Sequence, residues 1–301
     1  MDDILTLVAS EQTKDALNPW VLANLDATLA HQGIVMGKVV WLSTGRACDA
    51  SLTSGHPPSD LEDRVRTFFD DAPVDLMVGP VQGRRKRLLV ADMDQTIITR
   101  ETLDEMAAHA GLQDEIAAIT ARTMRGELEF EDALRERLGM LKGLPEDALR
   151  KTLADIEPSP GAKALVATMN AYGAYTALVS GGFTYFTEPV KAICGFQFAA
   201  GNELVIEDGK LAGTVTEPIL GKAAKVEILN RLVNERGITT DDALTIGDGA
   251  NDLGMIEAAG LGIAYYGKPV LAAAARARIE HTDLRTALYF QGYSDAEIVG
   301  V

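Results

Sequence analysis

Cysteine is nearly missing: two in 301 residues, Cys48 and Cys194, with no disulfide framework and no zinc-ligand spacing. That scarcity fits a reducing compartment. Long apolar runs are missing too, and none approaches the length of a membrane span. The opening stretch MDDILTLVASEQ is acidic and has no apolar core of the signal-peptide kind, so the expected location is the cytoplasm. Positive charge is in short supply, with 28 Lys and Arg against 44 Asp and Glu and a net charge of −16. Such a balance argues against nonspecific binding to nucleic acid or to an anionic membrane. The four histidines show no ligand spacing, and no internal repeat or low-complexity tract is present.

What remains is an ordinary soluble composition, 47% apolar and 24% charged, on a chain long enough for two domains. Residues 1–84 predict a small α+β unit. Ile4 to Ser10, GKVVWLST and VDLMVGP read as strands. PWVLANLDATLAHQG and LEDRVRTFFDD read as helices, the first with Pro near its start and Gly at its end. This succession suggests a ferredoxin-like sandwich. The basic run VQGRRKR, Val81 to Arg87, reads as a solvated linker.

Residues 85–301 change rhythm. RLLVA, AYTALV (Ala174 to Val179), ALTI (Ala243 to Ile246) and LGIAYY (Leu261 to Tyr266) are short and apolar on both faces, as in a buried parallel sheet. Helical spacing marks Leu165, Thr168, Met169 and Tyr172, and again Val226, Leu229, Leu232 and Val233, with Gly237 as a stop. The expected fold is a doubly wound α/β core. A helices-only insertion at about 102–157 is too long for a loop and reads as a cap. The stretch FAAGNELVIEDGKLAGTV reads as a β-hairpin turning at EDGK.

Chemistry gathers where these strands end, which is where open parallel sheets bind ligands. LLVADMDQT places Asp92 and Asp94 two apart, on one side of an extended chain. The next strand runs into SGGF, where Gly181 and Gly182 let backbone N–H groups approach an anion. A third ends in GDGAND, with Asp248, Asn251 and Asp252, and Lys225 lies early in the helix leading to it. Four converging carboxylates raise one another's pKa and need a counter-charge. A hard divalent cation such as Mg²⁺, together with Lys225, meets that need. In the insertion, Phe130, Leu134, Leu138 and Leu141 form an apolar helix face with Arg137 inside it. A guanidinium there either snorkels to water or meets a partner.

DMDQT, SGG, Lys225 and GDGAND resemble the four signature motifs of the haloacid dehalogenase superfamily of phosphotransfer enzymes. The wider match runs from Leu88 to about Leu288. It includes RETLDEMAAHAGL, LVSGGF and IGDGANDLGMIEAAGLGIAYYGKP, and it is similar to the phosphoserine phosphatase branch. The resemblance implies hydrolysis of O-phospho-L-serine, a small-molecule substrate, as the last step of serine synthesis. It makes Asp92 the nucleophile, Asp94 the acid and base, and Asp92, Asp94 (through its backbone carbonyl) and Asp248 the Mg²⁺ ligands. Asp252 would support the metal and Lys225, and Ser180, Gly181, Lys225 and Asn251 would meet the phosphate. Arg137 would take the substrate carboxylate and Glu101 its ammonium, while Met124 and Phe130 close over it. Residues 1–84 resemble the ACT-like region preceding the core in longer bacterial members, which leaves a homodimer open. Gln95 departs from the pattern, since the family usually has a small residue there. Two other readings stand beside this one: a phosphotransferase of the same fold acting on an alcohol such as homoserine, and a non-enzymatic amino-acid sensor.

Overall fold

Two sheets carry the fold in a computed structural model of the chain, which describes residues 3–13, 16–52, 58–70, 72–124 and 127–300. In the first part, β1 (Asp3–Ala9), α1 (Pro19–Ala30), β2 (Met36–Ser43), β3 (Ala47–Leu52), α2 (Leu61–Phe69) and β4 (Val74–Pro80) follow in turn. Asn18 starts α1 as its side chain accepts from the N–H groups of Trp20 and Val21 at 2.9 and 3.0 Å, and Pro19 takes the first helical position. The strands pair antiparallel in the order β2-β3-β1-β4, a ferredoxin-like βαββαβ unit. Strand β3 was not expected. Its sequence ACDASL is short and has no β-branched or aromatic residue, and burial of Asp49 rests on Thr6 Oγ1 at 2.7 Å and on Arg84 at 2.7 Å.

The second part begins at β5 (Leu88–Ala91), whose four residues are all buried. Four helices follow, α3 (Thr102–Ala110), α4 (Gln113–Met124), α5 (Phe130–Met140) and α6 (Glu146–Ala154). The chain then alternates through α7 (Ala162–Ala171), β6 (Tyr175–Phe183), α8 (Thr184–Cys194) and β7 (Phe198–Asn202). A small antiparallel pair, β8 (Leu204–Glu207) and β9 (Lys210–Val215), precedes α9 (Lys222–Arg236), which Gly237 ends at φ 60°. Then come β10 (Ala243–Gly247), α10 (Leu253–Ala258), β11 (Leu261–Tyr265), α11 (Pro269–Ala274), β12 (Ala277–Ile279) and α12 (Thr286–Phe290). The large sheet is parallel throughout, ordered β12-β11-β10-β5-β6-β7. It therefore has two edge strands beyond the four expected. FAAGN is one of them and not part of the hairpin, which is confined to β8 and β9. The hairpin supports the helical insertion: Gly143 N–H donates to Leu211 O and Leu211 N–H to Leu144 O.

The two sheets are tied at defined points. Asp75 in β4 is fully buried and accepts from the N–H groups of Glu280, His281 and Thr282 and from the Thr282 hydroxyl. Around it, Arg46 meets Asp283 at 3.1 Å and Arg276 meets Glu62 at 2.8 Å. The expected solvated linker is also engaged: Arg84 pairs with Asp49, Arg85 pairs with Glu297 and lies over the Tyr293 ring, and Lys86 donates to Asp241 O. A run of like charge reads as solvated in sequence, but here acceptors from both parts of the chain meet it. Among the described residues no helix is long and apolar enough to cross a membrane.

Candidate active site at the carboxyl ends of the parallel strands

Strand β5 delivers Asp92 and Asp94 to the centre of the sheet's carboxyl edge, between β10 and β6. Beyond Asp92 the chain turns sharply. Asp94 is extended (φ −67°, ψ 135°), Gln95 is left-handed (φ 53°, ψ 10°), and Ile98 N–H closes the turn on Met93 O at 3.0 Å. The turn sends the two acids to different partners. Asp92 Oδ1 accepts from Lys225 Nζ at 2.6 Å, on the core side. Asp94 Oδ1 accepts from the N–H of Thr102 at 2.8 Å, on the cap side, and Oδ2 accepts from Ser180 Oγ at 3.2 Å. Thr102 opens α3, so the positive end of a cap helix faces Asp94.

Lys225, one turn into α9 and 1% exposed, also donates to Asp252 Oδ1 at 2.5 Å. Asp252 Oδ2 in turn accepts from Gly249 N–H, and Asn251 Nδ2 lies 3.5 Å from its other oxygen. Oxygens of Asp92, Asp248 and Asp252 come within 4.8 Å of one another. The carboxylate of Asp94 is not in that group, because it is turned toward Thr102 and Ser180.

Charge in this cleft is under strong pressure. Burial, then the charges of Asp252, Asp248 and Asp94, push the Asp92 carboxyl well above its usual range against the pull of Lys225. Burial raises Asp94 as well, opposed by the donors of Thr102 and Ser180. Asp248 is raised by burial and by Asp252, with Lys268 opposing. Burial works against the Lys225 ammonium, yet Asp252 and Asp92 hold its pKa above the ordinary lysine value. Three carboxylates thus face one buried ammonium with oxygen donors only. That donor set fits a hard divalent cation.

The SGG turn shows why glycine is needed here. A Cβ on Gly182 would stand 2.8 Å from Asp94 Oδ2, and one on Gly181 would stand 2.7 Å from the tip of the Phe130 ring. Ser180 Oγ accepts from Gly182 N–H at 2.8 Å inside β6, where the pairing with β7 shifts register between Val179 and Phe183. Phe130, at the start of α5, thereby covers Gly181 from the cap.

Arg137 resolves the choice between water and partner. It is 8% exposed, with Nε on Ala133 O at 3.2 Å and a terminal nitrogen 3.5 Å from Thr120 Oγ1. Among the described residues no carboxylate makes an ion pair with it. Burial lowers its pKa, while Glu101 and Asp104 hold it up. Glu101 is itself raised well above the usual range, first by burial and then by Asp94 and Asp104. A buried guanidinium and a half-buried carboxyl group are therefore close enough to bear on each other's charge. The side chain of Met124 lies outside the described residues.

Three contributors were not anticipated. Lys268, just past β11, donates to Asp248 Oδ2 at 3.3 Å and to Gln95 Oε1 at 3.0 Å. Applying the strand-end rule to GKP would have found it. Asn202, at the end of β7, donates to Gly181 O at 2.8 Å and accepts from Leu220 N–H at 2.7 Å, steadying the SGG turn. Thr102 acts through its backbone, for which no sequence signal exists. Gln95 is exposed, and its amide points to Lys268 and not into the cleft.

A family model described as haloacid dehalogenase-like hydrolase matches residues 89–257. A phosphoserine phosphatase from Archaeoglobus fulgidus is 41% identical over 215 residues, 71% of this chain and 62% of its own length. The chain thus spans about three fifths of that relative. A crystal structure of a HAD family hydrolase from Salmonella enterica serovar Typhi superposes with TM-score 0.84 and 28% identity, covering 96% of this chain and 99% of that one. The structure of a phospho-aspartyl intermediate analogue of phosphoserine phosphatase is 39% identical, with TM-score 0.65 over 68% of this chain and 99% of its own.

Proposed function

Because this chain belongs to the haloacid dehalogenase-like hydrolase family, we propose that it hydrolyses O-phospho-L-serine to serine and phosphate through an aspartyl phosphate on Asp92. In the first step a carboxylate oxygen of Asp92 bonds to phosphorus, the bond from phosphorus to the serine oxygen breaks, and Asp94 gives that oxygen its proton. Water then attacks phosphorus, its proton returns to Asp94, and the bond to Asp92 breaks. The Asp94 carboxylate faces Thr102 N–H and Ser180 Oγ and stands apart from the cluster of Asp92, Asp248 and Asp252, which supports its separate role as acid and base. Ser180, the Gly181 N–H and Asn251 meet the phosphate oxygens, and Asp252 keeps Lys225 beside Asp92. Asp92, Asp248 and the Asp94 carbonyl would hold Mg²⁺, which when bound neutralises phosphate charge.

The observation that carries the substrate is Arg137, a buried guanidinium without a carboxylate partner among the described residues. Leaving such a cation unpaired is costly, and the carboxylate of an amino-acid substrate supplies the missing partner. Glu101 takes the ammonium, with Phe130 and Met124 closing above. Residues 1–84 form one unit and 85–301 the catalytic one, with the cap at about 102–157. The relative named as phosphoserine phosphatase supports this reading, and the two cysteines fit a cytoplasmic setting. Phosphate release from L-phosphoserine, with Mg²⁺ and with chelator, beside sugar and nucleotide phosphates, tests it. Metal-dependent turnover favouring phosphoserine is expected. Turnover without that preference discards the substrate, and phosphoryl transfer to added homoserine at the expense of release makes the protein a transferase.

A further inference from the structure

Lys268 grips Asp248 twice. Its N–H donates to Asp248 O at 2.8 Å, and its ammonium donates to Asp248 Oδ2 at 3.3 Å. The first bond pins the backbone at the start of α11, so the ammonium works on a short tether. A half-exposed ion pair alone contributes little. Here a third contact fixes the geometry, from Lys268 Nζ to Gln95 Oε1 at 3.0 Å. Gln95 reaches it from a left-handed backbone, a conformation that non-glycine residues adopt rarely and at some energetic cost. It does so from the turn that carries Asp92 and Asp94, so the Gln95–Lys268–Asp248 bridge spans the two loops supplying the carboxylates.

We propose that Lys268 is a resident counter-cation of the carboxylate cluster, one that a divalent ion must compete with, and that Gln95 is the positioning residue holding it on Asp248. The inference rests on reading the cluster as a divalent-cation site. A cation fixed at Asp248 relieves carboxylate repulsion while no metal is bound and repels the metal that approaches. A small side chain at position 95 has no amide to reach Lys268, so the bridge belongs to this sequence.

Calorimetric titration of the full-length protein with Mg²⁺, alongside its melting temperature in chelator, tests the idea. Lys268→Met is expected to tighten Mg²⁺ binding about fivefold, the scale of a partly exposed charge pair, and to lower the metal-free melting temperature. Lys268→Arg restores both values toward wild type. Gln95→Ser shifts binding in the same direction by a smaller factor, and adding it to Lys268→Met changes nothing further. Mg²⁺ binding that is unchanged or weaker in Lys268→Met overturns the proposal, as does a Gln95→Ser effect that persists without Lys268. Should Lys268→Met not fold, Gln95→Ser decides alone, since unchanged or weaker binding there removes the tether. Failure of wild type to bind Mg²⁺ at all refutes the metal-site reading itself, which distinguishes the two failures.

Discussion

Asp75 and Asp92 are both buried, and the protein treats them in opposite ways. Asp75 is met by three backbone N–H groups and a hydroxyl, all from residues 280–282. Its acceptor capacity is filled from within. Asp92 takes one hydrogen bond among the described residues, from an ammonium that it shares with Asp252, and two more carboxylates crowd it. Burial raises both carboxyls. What separates them is satisfaction: a filled carboxylate joins two parts of a fold, and an unfilled one waits for a ligand. Burial alone would not have told structure from chemistry.

The hardest blow to this contrast comes from swapping each charge for its amide. Asp92→Asn is expected to cut phosphoserine turnover by about 10⁴-fold or more, as expected for loss of a nucleophile. Its metal-free stability should stay level or rise, because Lys225 keeps Asp252 and the cluster loses one repelling charge. Residual turnover near wild type removes Asp92 from the role. A large loss of stability would make Asp92 a second Asp75.

Arg137 sharpens the same point with a cation. Its removal should raise KM for phosphoserine by roughly 30- to 100-fold, the scale of a lost charged hydrogen bond, with little change for an aryl phosphate. Equal effects on the two substrates would place Arg137 with the filled, structural groups.

Asp75→Asn is expected to lower unfolding free energy by about 1–3 kcal/mol, since the amide NH₂ cannot accept from Thr282. Turnover per folded molecule should hold, because the side-chain partners of Asp75 are residues 280–282, which follow edge strand β12, three strands from β5. Urea unfolding and active-site titration read the two quantities separately. Loss of turnover with intact stability would tie the first sheet to catalysis.

How far the sequence carried the reading follows from the same distinction. Side chains near strand ends were legible as a group: the structure brings Asp92, Asp94, Ser180, Asp248 and Asp252 together, with Lys225 from the first turn of α9. So were the alternation of the core and the ferredoxin-like succession. Strands β3, β7 and β12 were not, because ACDASL, FAAGN and ARI are short and carry at most one β-branched or aromatic residue each. Satisfaction itself was the least visible property. Nothing in VDLMVGP says that Asp75 finds four donors some 205 residues away, and nothing in RET says that Thr102 offers its N–H to Asp94. Sequence shows which groups could bind, and tertiary contacts decide which are already bound.

The finest test of the comparison is a pH series on Asp75. Burial lifts its folded carboxyl above the unfolded value of about 3.9, against the pull of Thr282, the Glu280 and His281 N–H groups and the His281 charge. The native state therefore holds the proton more tightly than the unfolded chain. Its contribution to stability is complete below the unfolded pKa and is lost as pH rises through the folded one. Asp75→Asn has no such proton. The stability deficit of the variant should therefore be largest at the acid end and shrink as pH rises through that window. Chemical denaturation of both proteins from mildly acidic to neutral pH measures it. A deficit that grows with pH would mean that the four donors outweigh burial, and Asp75 would then be more fully satisfied as an anion than its surroundings indicate.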